Sequence, residues 1–380
     1  MDFYVRELSI SEWAEARPAT QFLGSGLSHE LGALLLTETI NHSIKDNNSP
    51  VYALFVDARS AFDLTIREIM VRKLHFIGTN GHKLLYLDNR LKNRKTFVEW
   101  DFRVLGPIND ELGFEQGGVS SGDLYTLYNA DQLSVAQDSG LGVDIGVTTI
   151  SSIGQADDVI LLSTDLAFLN HLLQLTLDYC DYHHVILAPE KTKLMAFSAP
   201  RHKLDVDYHK ATSPITISQV PIEFVDNTEH VGVIRSIHGN LPHLQNRITS
   251  HIKALYAVLP AGLARNQTLN PASSLRIQAI YANPVLLSGV APLILSKSEL
   301  SILQSHHKNT IQNLQKLHRN SPECFVMFMG GSLGATASIH LRQLGLFGMI
   351  CRQPENILNN IAQHKFLSEP NISSSWFVKI

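Results

Sequence analysis

The chain has 380 residues, 44% of them hydrophobic, with 31 basic against 35 acidic side chains and a formal charge of −4. That length and apolar content support a large core divided over two or more subdomains. The charge excludes a globally basic polyanion binder, so any groove for nucleic acid must be built from local clusters.

In chain order, Asp2, Arg6, Glu7 and Glu12 interrupt the amino terminus early, and no secretory signal is expected. Leu27, Leu31, Leu34 and Leu35 recur at helical spacing ahead of a turn at Asn48-Ser49-Pro50. Ala53-Leu54-Phe55-Val56 is an apolar run of strand type, so Asp57 projects from a strand terminus. Asp63 is placed to N-cap a helix with Ile66, Ile69, Met70 and Leu74 on its inner face and Gly78 at its end. Arg90, Lys92, Arg94, Lys95 and Arg103 form a basic segment. Phe97, Trp100 and Phe102 interleave it and read as ordinary strand packing, with base stacking the alternative.

A glycine-serine segment follows at residues 115–123. Gly117 and Gly118 lack Cβ atoms, so the backbone there can approach a base pair closely or take a positive φ. Ser120 or Ser121 can cap the next helix, whose inner face would carry Leu124, Leu127, Tyr128 and Leu133. No Lys-Ser/Thr pair follows the glycines, which excludes a P-loop.

Asp157 and Asp158 stand in a tight turn before the buried-strand run Val159-Ile160-Leu161-Leu162. Adjacent strand residues point to opposite faces, which ranks Asp157 above Asp158 as a direct ligand. An isolated pair of aspartates usually makes only a solvated turn. Carboxylates gathered from distant stretches of chain, however, repel unless they hold cations, and two divalent ions catalyse phosphoryl or nucleotidyl transfer.

Residues 165–181 read as a helix through Phe168, Leu169, Leu172, Leu173 and Tyr179. Val185-Ile186-Leu187 and Leu194-Met195-Ala196-Phe197 read as strands joined by a hairpin or tight connection at 189–193. Arg201, Lys203, Arg235, Arg247 and Lys253 are the second basic group. Residues 279–296 carry no charge but are interrupted by Asn283, Pro284, Ser288, Gly289 and Pro292, so a buried, broken helix is expected rather than a membrane span. Cys180 with His183 and His184 lacks a second ligand pair for zinc, and His306 and His307 read as helix-surface residues. Cys180, Cys324 and Cys351 are too few and scattered for a disulfide framework, which suits a reducing intracellular compartment, nucleus or cytoplasm.

Taken together and in order, three frames resemble the first three palm motifs of reverse transcriptases from non-LTR, LINE-type retrotransposons. They are Asp57 with Ala61-Phe62-Asp63, Gln116-Gly117-Gly118 with Ser120, and Ala156-Asp157-Asp158. Residues 187–197, LAPEKTKLMAF, resemble the fourth motif, and His230-Val231-Gly232-Val233 the strand pair that grips a primer end. Arg247 onward resembles the helical thumb, so the similarity spans about Gln21 to Arg352.

The resemblance implies an α+β fold, a polymerase right-hand palm with partial fingers and a helical thumb. Residues 1–50 would be partial fingers, 51–237 the palm, 238–320 the thumb and 321–380 a helical appendage. It implies an RNA-directed DNA polymerase that extends a DNA primer on an RNA template with deoxynucleoside triphosphates. Two magnesium ions, with manganese as a substitute, would sit on Asp57, Asp157 and Asp158. Phe62 would be the steric gate against a ribose 2′-hydroxyl, and Gln116 and Gly117 would contact the nucleotide. Lys191, with Lys193 as the alternative, would serve the leaving pyrophosphate. The family usually has an asparagine where Ala188 stands.

About fifty residues precede the first motif, with Arg17 the one candidate for the triphosphate contacts that fingers supply. A longer element truncated at its N-terminus is therefore expected. The rival expectation is a catalytically inactive remnant that binds nucleic acid or a partner, and a two-ion nuclease is the third. No membrane partner is expected, and the sequence leaves the oligomeric state open.

Overall fold

The computed structural model describes residues 29–59, 62–92, 94–110, 112–114, 121–155, 158–198, 214–258, 270–353, 357–368 and 375–379. They form two compact units. One holds residues 43–225 and 357–361; the other holds 29–42, 226–353, 362–368 and 375–379. The first described helix, α1 (His29–Asn41), belongs to the second unit.

The first unit contains β1 (Val51–Val56), β2 (Ala58–Arg59), the hairpin β3 (Arg94–Trp100) and β4 (Arg103–Asp110), and the short pair β5 (Val143–Ile145) and β6 (Thr148–Ile150). Next come β7 (Ser152–Gln155), β8 (Asp158–Ser163), β9 (Ile186–Leu187), β10 (Lys193–Phe197), β11 (Thr216–Ile217), β12 (Val220–Pro221) and β13 (Glu223–Phe224). Helices α2 (Arg67–Phe76), α3 (Gly81–Leu91), α4 (Ser121–Asp138) and α5 (Leu166–His183) lie between them.

Five strands form one sheet in the order β13-β10-β1-β8-β7. β1 is antiparallel to both neighbours, with Val56 opposite Val159 and Phe55 opposite Lys193. An unbroken apolar run such as VYALFV suits a strand covered on both faces, and all six residues are buried. Tyr52, Leu54 and Val56 pack with Leu161 and Leu194 against Leu169, Leu172 and Leu173 of α5. α5 starts where the Asp165 carboxylate accepts the N–H of Ala167 at 2.6 Å, and it stops at His184 in the left-handed region.

Three local expectations are corrected here. Asp63 does not cap α2, which begins at Arg67 with Ile66 at its N-cap and no side-chain bond. The residues before it are tied instead to a backbone strap: Gly113 N–H donates to Thr65 O and Phe114 N–H to Phe62 O, each at 2.8 Å. β9 and β10 do not pair with each other, because β9 pairs with β2 and β10 with β1. Phe97, Trp100 and Phe102 are not buried by strand packing, since β3 and β4 form a two-stranded sheet among the described residues and all three rings are exposed, Phe102 at 98%.

In the second unit β14 (Asn227–His230) and β15 (Val233–Ser236) form a hairpin turning at Val231 and Gly232, both with positive φ. This strand pair, expected within 51–237, clusters with the helical unit. Its helices are α1, α6 (Leu241–Ala257), α7 (Pro271–Ile277), α8 (Asn283–Leu287), α9 (Lys297–Leu314), α10 (Glu323–Gly330), α11 (Ala335–Cys351), the later part of α12 (Ile357–Ser368), and α13 (Trp376–Lys379). The core gathers Ala33, Val233, Leu244, Leu286, Leu303 and Ile339.

The uncharged stretch around α8 is broken as expected, and its later part is buried, with Leu286, Val290 and Leu293 inside, whereas Ile280 and Tyr281 at its start are exposed. Among the described residues no single helix is long and apolar enough to cross a membrane. His307 is not a helix-surface residue: it is buried, and its Nε2 lies 3.2 Å from Leu333 O. Arg235 is no groove residue either. Its guanidinium donates to Thr37 Oγ1 at 2.8 Å and Ala33 O at 2.7 Å, and burial lowers its pKa to about 10. Glu38, also buried, accepts the Ser375 hydroxyl at 2.9 Å and the Trp376 N–H.

Candidate active site

β1 ends at Val56, and the next residue, Asp57, stands at the sheet edge with a half-buried side chain. Its backbone is fixed from the other side of the edge. Ala188 N–H donates to Asp57 O at 2.8 Å, and Asp57 N–H donates to Thr192 Oγ1 at 3.4 Å. Thr192, fully buried, in turn donates its hydroxyl to Ala188 O at 2.9 Å. At the position where an asparagine is usual, Ala188 thus contributes only backbone, and Thr192 supplies the side-chain bridge to Asp57.

Lys191 Nζ lies 3.4 Å from Asp57 Oδ1. That oxygen is shielded from solvent and accepts no hydrogen bond, although the residue as a whole is partly exposed. Beside this pair Arg59 clasps Glu190 through bonds of 2.7, 2.8 and 3.1 Å. The side-chain hydrogen bond between them holds Glu190 below its ordinary pKa and Arg59 above. Both are exposed, so the clasp orders the 190–191 turn more than it stabilises the fold. Lys193, the alternative to Lys191, is engaged elsewhere: its ammonium meets Glu223 Oε2 at 2.6 Å.

Asp158 is the first residue of β8, one step before the Val56–Val159 pair, as Asp57 is one step after it. The antiparallel register therefore brings these two carboxylates from separate motifs to the same edge. Asp157, ranked above Asp158 from sequence, lies outside the described residues, as do Gln116 and Gly117. β7, the strand that pairs with β8, sits tightly on α4. A Cβ on Gly154 would fall 2.5 Å from Leu133 Cδ1, so any larger residue there must push that side chain aside.

Phe62 is partly buried, and its ring stacks on Tyr125 of α4 with centroids 4.5 Å apart and planes at 27°. Tyr125 has no exposed surface. Sequence reading named Leu124 and Leu127 for the inner face of α4 and missed Tyr125 because helical spacing alone does not show that this helix is enclosed on more than one side.

Beneath it lies an equally unforeseen charge pair. Lys73 Nζ meets Asp131 Oδ2 at 2.8 Å and also donates to Tyr128 O. Burial pulls the Lys73 ammonium below its ordinary pKa and pushes Asp131 above, while their attraction opposes both shifts. Of the basic segment, Lys92 pairs with Asp88, whereas Arg90 and Arg94 line a cavity of about 180 Å³ with Phe114 and Ser121.

A mostly antiparallel apolar sheet with helices on it, β13 alone running parallel to its neighbour among the described strands, brings Asp57, Asp158 and the lysine turn together and has the architecture of a right-hand polymerase fold. A family model described as reverse transcriptase (RNA-dependent DNA polymerase) matches residues 25–225, and the chain belongs to that family. No curated protein matches it.

Among solved structures, apo telomerase from Candida tropicalis matches with a TM-score of 0.42 and 10% identity, over 97% of this chain and 61% of that one. Telomerase from Candida albicans, solved with a TWJ fragment of telomeric RNA, matches with a TM-score of 0.40 and 9% identity, over 97% and 55%. The chain thus spans less than two thirds of either structure's length.

Proposed function

We propose that this domain extends a DNA primer on an RNA template with deoxynucleoside triphosphates, and that Asp57, Asp157 and Asp158 hold two magnesium ions, replaceable by manganese. The observation that carries the reading is Asp57 Oδ1: a carboxylate oxygen out of solvent, without a hydrogen bond and faced by the Lys191 ammonium at 3.4 Å, in register with Asp158 at the strand ends. A hard oxygen donor left in that state fits a divalent cation. Bound ions would activate the primer 3′-hydroxyl and stabilise the departing pyrophosphate.

The protein's own groups do the positioning. Thr192 and Ala188 fix the Asp57 backbone, and Lys191 offers a positive charge to the triphosphate. Phe62 faces the sugar as the steric gate. Gln116 and Gly117 contact the nucleotide by resemblance to the second motif. The order and content of the five motifs support an origin in a non-LTR retrotransposon, LINE in type. On this reading the first unit supplies the palm and the helices of the second the thumb.

Primer extension by the purified chain on an RNA template tests the proposal. Asp57→Asn and Asp157→Ala are expected to lower deoxynucleotide incorporation by at least about 100-fold, and chelation of divalent ions to abolish it. Incorporation that survives unchanged in these variants sinks the assignment. Salt-sensitive RNA binding with no metal-dependent extension would favour the noncatalytic remnant instead.

A further inference from the structure

We propose that Tyr125 is a positioning residue for sugar selection, acting through the ring of Phe62. The inference rests on the reading of Phe62 as the ring that faces the ribose, and it adds what makes that ring selective.

Phe62 is restrained through both its backbone and its ring. Its carbonyl accepts Phe114 N–H at 2.8 Å. Gly113, at φ +76°, comes so near that a Cβ there would lie 2.7 Å from Phe62 O. The strap itself is anchored, since Arg67 donates to the carbonyls of Gly113 at 2.7 Å and Leu112 at 2.5 Å. These contacts fix where the Phe62 backbone is, but they leave its side chain free to swing about χ1 and χ2.

Tyr125 removes that freedom. It covers one face of the Phe62 ring at 4.5 Å and is itself backed by Tyr128, near-parallel to it at 6.4 Å. Tyr128 is locked in turn: its hydroxyl donates to His183 O at 3.1 Å, and the Lys73 ammonium lies 4.8 Å from its ring centre. Three rings in series thus connect the partly exposed Phe62 to a buried cluster that holds Lys73 and His183.

Rejecting a ribonucleotide means rejecting a single oxygen atom. A ring can do so by steric conflict only if it cannot retreat, because a displacement of about 0.5–1 Å would relieve the clash. With Tyr125 in place, the space behind Phe62 is filled. A smaller side chain at 125 opens that space, and the ring can tilt into it when a 2′-hydroxyl arrives. Selectivity falls while the acids and Lys191 stay where they are.

The test compares kcat/KM for a ribonucleoside and the matching deoxynucleoside triphosphate on one RNA template and DNA primer, using the full chain. The ratio of the two is the readout, because a loss of folded protein lowers both efficiencies alike and cancels. Tyr125→Leu is expected to raise relative ribonucleotide use by roughly two- to tenfold, the range an aromatic stacking contact supports. Tyr125→Phe keeps the ring and should leave the ratio as it is. Tyr125→Met, close to leucine in volume and likewise without a flat face, serves as the second variant if the leucine protein does not fold. Phe62→Ala should raise the ratio further than either.

If Phe62→Ala shifts the ratio while Tyr125→Leu or Tyr125→Met does not, the positioning role is overturned and the gate stands. If Phe62→Ala itself leaves the ratio unmoved, the gate reading fails, and the role of Tyr125 with it. A chain that incorporates neither nucleotide overturns the proposed function and this inference together.

Discussion

The Thr192 hydroxyl accepts the backbone N–H of Asp57 at 3.4 Å across 135 residues of sequence, while donating to Ala188 O at 2.9 Å. One buried side chain therefore ties the terminus of the central strand to the lysine-bearing turn beside it. Thr192→Val keeps the shape and removes the oxygen, leaving the Asp57 N–H unanswered while Ala188 O keeps the Thr192 N–H at 2.9 Å. The expected result is a stability loss of about 1–3 kcal/mol in thermal or denaturant unfolding. Primer extension should fall by roughly tenfold in kcat, as Asp57 loses its register. Thr192→Ser should recover most of both.

Gly154 faces the side chain of Leu133 so closely that a Cβ there would fall 2.5 Å from Leu133 Cδ1. Gly154→Ala forces the flexible end of Leu133 aside and pushes β7 off α4, at a cost of about 1–3 kcal/mol. Shortening the neighbour relieves the collision, so Gly154→Ala combined with Leu133→Ala should be less destabilised than the sum of the two single variants. A double-mutant cycle measures that coupling, and strict additivity would count against the contact.

Lys73 and Asp131 form a buried pair whose members depend on each other. Lys73→Met strands the Asp131 carboxylate beside Tyr128 and Tyr179, with an expected loss of about 3 kcal/mol. The loss should shrink as pH falls and Asp131 takes up a proton, because burial already raises its pKa. Adding Asp131→Leu to Lys73→Met should restore much of the stability at neutral pH. Urea unfolding at two pH values reads both effects.

His243 gives the helical unit a pH dependence of definite sign. Its Nδ1 accepts Ile234 N–H at 3.2 Å and its Nε2 faces Ser288 O at 3.3 Å, an arrangement that only the neutral ring satisfies. Burial, reinforced by Arg247 and other nearby charge, lowers its pKa to about 4 from an ordinary 6.5. The unfolded chain therefore binds a proton between pH 6.5 and 4 that the folded one refuses, so the stability present above pH 6.5 is lost as pH falls toward 4. The slope from this residue is on the order of 1 kcal/mol per pH unit. His230, whose pKa burial lowers to about 3, adds in the same direction. Unfolding across this window should show a shallower slope for His243→Gln than for the parent chain.

The strands that carry Asp57 and Asp158 were legible because β1 and β8 are unbroken apolar runs, a pattern that a doubly covered strand requires and few other elements satisfy. Asp57 could be placed at a strand end for the same reason. The lysine turn was legible as a connection, but the partners of its flanking strands were not. Pairing of β9 with β2 and of β10 with β1 depends on where distant chain arrives, and no local spacing encodes that. Tyr125 and Gly154 escaped notice because each is meaningful only through one opposing side chain, Phe62 and Leu133. Asp63 had the chemistry of a cap, yet the Gly113 strap holds the preceding residues away from the helical path until Arg67. His307 looked like surface for want of metal-ligand spacing, whereas a backbone carbonyl at 3.2 Å gives a histidine reason enough to be inside.

The middle position of β1 carries a cost during synthesis. Its six apolar residues leave the ribosome long before either flanking strand exists, and Thr192 follows Asp57 by 135 residues. At roughly 5–20 residues per second, the nascent segment waits on the order of ten seconds with both edges unpaired. Such a strand is a ready template for wrong partners, so yield of this protein from cells should depend on chaperone supply and on translation speed more than on the stability of the finished fold.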